Sequence, residues 1–165
     1  MKKVNFKKHP VNLSGNLPQT GKPAPSFELV KTDLATITLE DLKGKTLVLN
    51  IFPSLDTGIC ATSVRKFNQM ASKMKDTVVL AISKDLPFAH SRFCTVEGIE
   101  NVIPLSDFRA LGFSTDYGVL MEDGPLQGLL ARAVIIINPD LTVRYVQLVP
   151  EITQEPDYDE VLRHL

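Results

Sequence analysis

The run Thr46 to Phe52, TLVLNIF, stopped by Pro53, is the feature that most constrains how this chain folds. Such a nearly continuous apolar run, without regular polar alternation, does not suit a strand with one wet face; it suits a strand covered on both faces. From Gly58 to Lys75 the period changes. Cys60, Val64, Phe67, Ala71 and Met74 step by four, three, four and three, which is one face of an α-helix. A doubly covered strand followed by an amphipathic helix is the repeating unit of a layered α/β architecture.

The remaining elements extend that pattern. Val4 and Phe6, then Val11 and Leu13, alternate weakly around His9-Pro10, predicting a β-hairpin extension over 1–17 that leans on the main body. A proline-rich connection, Pro18 to Pro25, leads to a strand at Phe27–Val30. Thr38-Leu39-Glu40-Asp41 reads as a capping box for a short helix ended by Gly44. A second buried strand is expected at Val78–Ile82. Asp85 is then expected to cap a helix with Pro87 in its first turn, carrying Phe88 to Cys94. A third strand follows at Asn101–Leu105, Gly118–Gly128 reads as a loop, and β-branched Ala133–Ile137 pairs across the Asn138-Pro139-Asp140 turn with Val143–Val149. Asp157–Leu165 closes the chain as a helix. Strands alternating with helices, then a late hairpin, predict a mixed central sheet flanked by helices. With 165 residues, no repeat and no linker, the chain reads as one domain, 1–165.

Composition narrows the function. The chain is 44% hydrophobic and 22% charged with a formal net charge of -1, which points away from a nucleic-acid tract, an acidic tail or disorder. The N-terminal lysines precede no apolar h-region, and no stretch reaches the roughly 18 apolar residues of a membrane span, so the expectation is a soluble, cytoplasmic protein. In a reducing compartment two cysteines suit redox or metal chemistry better than a permanent staple. His9, His90 and His164 have no Cys or His partner at ligand spacing, and P-loop and Gly-x-Gly signatures are absent, so neither metal nor cofactor is expected.

The chemistry then centres on Cys60, in the first turn of the helix after the buried strand, where unpaired N–H groups and the positive end of the helix dipole favour an anion. A free cysteine with a pKa near 8.5 is only about 3% thiolate at pH 7, so a reactive one needs such surroundings. Thr57, one turn upstream, offers a hydroxyl donor. Pro53 offers an apolar wall. Arg132, immediately before the buried run Ala133–Ile137, is the best-placed cation.

The Pro53, Thr57, Cys60 spacing resembles the P-x-x-x-[TS]-x-x-C motif of the peroxiredoxins, and Gly21, Ala24, Pro25 and Phe27 resemble that family's N-terminal G-x-x-A-P-x-F signature. NIFPSLDTGICATSVRKFN, DLPFAHSRFC and GPLQGLLARAV are similar to the atypical two-cysteine peroxiredoxins of bacteria, and the likeness runs through the hairpin and the PDY segment at 156–158. The resemblance implies a thioredoxin-like fold, which the outline of elements also fits, with a last helix that stops short at Leu165. It implies that Cys60 attacks a hydroperoxide, that Cys94 of the same chain condenses with the sulfenic acid to a disulfide, that thioredoxin reduces this bond, and that the chain is a homodimer. A disulfide needs Cα atoms within about 7 Å, so the segments around both cysteines are expected to unwind. Phe52, Leu55, Ile59, Phe88 and Phe93 would favour organic hydroperoxides over hydrogen peroxide.

Plainer readings exist for each residue. Cys60 alone reads equally as an inert core residue, Cys94 beside Phe93 as core, Arg132 as a surface charge at a strand end, and Thr57 as no more than an N-cap. Arg65, Arg92 and Arg109 read as ion-pair or interface residues. A redox sensor that uses its disulfide to signal, without turnover, is the alternative to an enzyme. A thiol-disulfide oxidoreductase is disfavoured because there is no C-x-x-C.

Overall fold

The computed structural model describes residues 2–109 and 111–165. A seven-stranded sheet has the order β10-β9-β5-β6-β7-β3-β4, formed by β3 (Glu28–Lys31), β4 (Thr36–Thr38), β5 (Thr46–Ile51), β6 (Thr77–Ser83), β7 (Val102–Ser106), β9 (Ala133–Ile137) and β10 (Val143–Leu148). β5, β6 and β7 run parallel, while β9, β10, β3 and β4 join antiparallel, so the sheet is mixed. Among the described residues four α-helices accompany it: α1 (Gly58–Ala71), α2 (Pro87–Glu97), α3 (Phe113–Asp116) and α4 (Tyr158–Arg163).

β5 shows why an unbroken apolar run was required. Leu47, Leu49 and Ile51 point to one face and pack with Phe27, Phe113 and Tyr117; Val48 and Phe52 point to the other and pack with Cys60, Val64 and Phe67 of α1. Its one fully buried polar member, Asn50, spends its amide on the Ser63 hydroxyl of α1 at 3.3 Å. The sheet is thus the thioredoxin-like layer expected from the sequence.

A second, three-stranded sheet, β1-β2-β8, is built from β1 (Lys3–Phe6), β2 (His9–Ser14) and β8 (Leu120–Met121). It covers its own apolar cluster of Val4, Val11, Leu13, Met121, Ala131 and Ile152. Asn5 fastens it to the main body: its N–H donates to the Pro150 carbonyl at 2.8 Å, and its carbonyl accepts from Ile152 N–H at 2.9 Å.

Several expectations change in detail. The hairpin turns at Lys7-Lys8, with φ of 50° and 70°, and His9-Pro10 already belongs to β2. Thr38 and Asp41 do exchange the reciprocal bonds of a capping box, but they close one 3-10 turn, Glu40–Leu42, with Asp41 rather than a glutamate reaching back. α1 stops at Ala71, short of Lys75. Part of the 118–128 segment is strand rather than loop, because β8 completes the edge of the hairpin sheet. The α3 turn and β4 carry too few residues to leave a periodic signal. Among the described residues no helix is long and apolar enough to cross a membrane.

Candidate active site

Parallel strands β5 and β6 end side by side, so the loops that follow them are neighbours at the carboxyl edge of the sheet. The first loop, 52–57, delivers Cys60 as the third residue of α1. Thr57 is the N-cap: its hydroxyl accepts from the Cys60 N–H at 3.4 Å and donates to the Ser54 carbonyl at 3.1 Å. That one hydroxyl proton is therefore held by the loop in this arrangement rather than pointed at the sulfur. Pro53 is buried beside Phe52.

Cys60 is completely buried, yet it does not sit in purely apolar surroundings. Arg132, itself only 1% exposed, brings Nη2 to 3.3 Å from Cys60 Sγ. Burying a guanidinium demands fixed partners. The Ile152 carbonyl accepts from both Nε and Nη2 at 3.1 and 3.0 Å, and Ile152 is the residue that Asn5 of the hairpin holds. The hairpin sheet thus supports the cation from behind. Nη1 is buried and, among the described residues, has no hydrogen-bond partner.

Cys94 lies in the last turn of α2, half-buried, and packs at the edge of the apolar cluster that contains Cys60, Phe52, Leu55 and Phe93. Burial pushes its thiol up from the ordinary cysteine range. Neither cysteine is in a disulfide here. Of the other apolar residues singled out, Phe88 is well exposed and Ile59 half-buried. Arg65 forms a bidentate pair with Glu97 at 2.9 Å for both bonds, Arg92 reaches Asp56 at 3.5 Å, and Arg109 lies over the Phe108 ring.

The correction of most consequence concerns Asp85. It does not cap α2; the N-cap is Leu86, with no side-chain bond. The Asp85 carboxylate instead accepts from Ser54 Oγ at 2.8 Å, from Leu55 N–H at 2.8 Å and from Ser83 Oγ at 2.6 Å. Tertiary structure presents two donors from the 52–57 loop and one from the end of β6, which together outcompete the local cap. Ser83 Oγ also lies 3.0 Å from Nε2 of the buried His90. Because the Ser83 proton is given to Asp85, His90 must donate through Nε2–H, which leaves its Nδ1 as the lone pair without a partner. Desolvation holds His90 neutral, its pKa lowered to about 4 against the opposing pull of Asp85. The adjacency of two parallel strand ends was the sequence signal for this cluster, and it becomes usable only once β5 and β6 are known to pair.

A cysteine in the first turn of a helix, facing a buried arginine on a thioredoxin-like sheet, defines a thiol-redox class of protein. The comparisons agree: residues 19–162 match the redoxin family. Over 165 residues the chain is 53% identical to the thiol peroxidase of Corynebacterium glutamicum and 50% identical to that of Mycobacterium tuberculosis, in each case covering 100% of this chain and 99% of the relative. The crystal structure of a peroxiredoxin-like protein from Aquifex aeolicus superimposes with a TM-score of 0.93 at 45% identity, over 99% of this chain and 95% of the other. The thiol peroxidase from Chromobacterium violaceum, 22% identical over the same shares of each chain, has the same fold at a TM-score of 0.91. The chain belongs to the redoxin family, among its thiol peroxidases of the peroxiredoxin type.

Proposed function

We propose that Cys60 reduces hydroperoxides as a thiolate and that Cys94 resolves the product. The observation that carries this reading is Arg132 at 3.3 Å from Cys60 Sγ, with a second buried N–H donor still open. A unit charge pair at that separation attracts by about 5 kcal/mol at an effective dielectric of about 20, against about 1 kcal/mol from a helix N-terminus, so the guanidinium is the larger influence on the anion. The thiolate attacks one peroxide oxygen and becomes a sulfenic acid. The O–O bond breaks and the alkoxide leaves, protonated to an alcohol or to water. Nη1 is free to stabilise that oxygen as charge builds on it, and Pro53 keeps water from the sulfur.

The Cys94 thiol then displaces water from the Cys60 sulfenic acid to give an intrachain disulfide. α1 and α2 hold both residues in regular helix here, so the turns carrying them open for this step. A thioredoxin dithiol reduces the disulfide and is itself oxidised, which puts the cycle in a reducing cytosol. Phe52, Leu55 and Phe93 around the sulfur, with Phe88 exposed at the start of α2, favour organic hydroperoxides over hydrogen peroxide. The relatives' class supports a homodimer as the working form.

The test is NADPH consumption with thioredoxin, thioredoxin reductase and cumene hydroperoxide. Wild type should turn over steadily, Cys60→Ser not at all, and Cys94→Ser should consume one equivalent of peroxide and stop. A single stoichiometric oxidation in wild type would favour a sensor instead.

A further inference from the structure

We propose that Asp85 is a positioning residue that latches the Cys60 loop to the start of the Cys94 helix, and so sets the balance between peroxide reaction and disulfide formation. The inference rests on the peroxidase reading above and adds a residue to it.

The geometry is that of a clamp. The Asp85 carboxylate holds both ends of the Ser54-Leu55 peptide step, through Ser54 Oγ and Leu55 N–H, each at 2.8 Å. Ser54 Oγ also accepts from the Asp56 N–H at 3.1 Å, and the Ser54 carbonyl holds the Thr57 cap, so fixing Ser54 fixes the whole approach to Cys60. On the other side Asp85 is anchored to β6 by Ser83 and to β7 by Ser106, whose hydroxyl donates to the Asp85 carbonyl. Through Ser83, the same network reaches His90 inside α2. Each carboxylate bond is charge-assisted, hence stronger than a neutral one, and the cluster is half-buried, where solvent competes less.

Two states therefore compete for this loop. In the folded state seen here the latch is closed, α1 begins at Gly58, and Arg132 meets the sulfur. In the state that forms the disulfide, the first turn of α1 and the α2 segment have separated from it. The latch contributes to the first state alone. Weakening it should slow oxidation of Cys60, because the sulfur spends less time against Arg132. It should also speed disulfide formation, because less structure has to be undone. Opposite signs on consecutive steps are what a general loss of stability does not produce.

The experiment is rapid-quench reaction of the reduced full-length protein with cumene hydroperoxide, following the Cys60 sulfenic acid and the Cys60–Cys94 disulfide by alkylation and intact mass, together with amide exchange at Leu55. Asp85→Asn should slow oxidation and speed resolution, the two fold-changes multiplying to about tenfold, the scale of one charge-assisted hydrogen bond, and should raise exchange at Leu55. Ser54→Ala, which removes the hydroxyl's bonds to Asp85 and to the Asp56 N–H but leaves the carboxylate with its Leu55 and Ser83 bonds, should again slow oxidation and speed resolution, the two fold-changes multiplying to about threefold. It keeps the test available if Asp85→Asn does not fold. Unchanged rates, or both steps slowed together, in variants of a wild type that does form the disulfide would overturn the latch alone. A wild type that never forms it would overturn the peroxidase reading on which the latch rests.

Discussion

The two cysteines of this chain make an instructive pair, because exposure ranks them one way and electrostatics the other. Cys94 is half-buried and nearer to solvent; Cys60 is fully buried. Yet Cys60 stands at the positive end of α1 with a guanidinium at 3.3 Å, whereas Cys94 stands in the last turn of α2, at the negative end of a helix, with burial raising its thiol pKa. A thiolate is the reactive form, and in the function proposed above the more hidden sulfur is the nucleophile. In the same proposal the more open one, whose thiol burial pushes up, reacts second.

Removing the charge should break this contrast most severely. Arg132→Met fills similar space without the cation, and the second-order rate of Cys60 oxidation should fall by roughly 10²- to 10³-fold in stopped-flow peroxide reactions, with circular dichroism unchanged. A fall of only a few-fold would mean that the helix start suffices.

On the Cys94 side, the buried His90 near the start of α2 has a pH signature. In the folded chain it stays neutral down to about pH 4, while the unfolded chain protonates it near its ordinary value of 6.5. As pH falls through that window the unfolded state binds the extra proton, so stability present above about 6.5 is progressively lost, by about 3 kcal/mol, and levels off below about 4. His90→Gln should remove that part of the loss, measured as the difference between variant and wild-type urea midpoints at about pH 7 and about pH 4.5. Parallel curves would refute it.

The support behind Arg132 gives a smaller effect. Asn5→Pro deletes the N–H that donates to Pro150 and loosens Ile152, whose carbonyl accepts two of the Arg132 bonds. Oxidation of Cys60 should slow by about tenfold while disulfide formation is untouched. This would tie the hairpin, which lies outside the 19–162 family match, to the chemistry. The smallest effect is expected for Arg65→Ala. It cuts the bidentate link from α1 to Glu97 of α2, but that link is largely exposed, and melting temperature should not move measurably.

What the sequence revealed, and what it concealed, follows from the range of each interaction. β5 and α1 were legible because an apolar run and a four-three spacing are local and repeated. Thr57 and Cys60 were legible because a helix start fixes their spacing. Arg132 was found by its position at the mouth of β9, but its second partner, a backbone carbonyl at Ile152, has no residue type to betray it. Asp85 was misread as a cap because a lone aspartate before a helix carries that local meaning. Its real donors, Ser54 and Leu55, are brought in by the pairing of β5 with β6. The Lys7-Lys8 turn carries no turn-type residue, whereas the neighbouring His9-Pro10 does, although Pro10 sits inside β2 opposite Asn5.

The most direct test of the account sets the two cysteines against each other in the reduced protein. Cys60→Ser and Cys94→Ser, each with one remaining thiol, are mixed with cumene hydroperoxide, and the second-order rate of oxidation of that thiol is read by mass. The account requires the buried Cys60, in Cys94→Ser, to react at least about 10³ times faster than the more exposed Cys94, in Cys60→Ser. Comparable rates, or a faster Cys94, would contradict it.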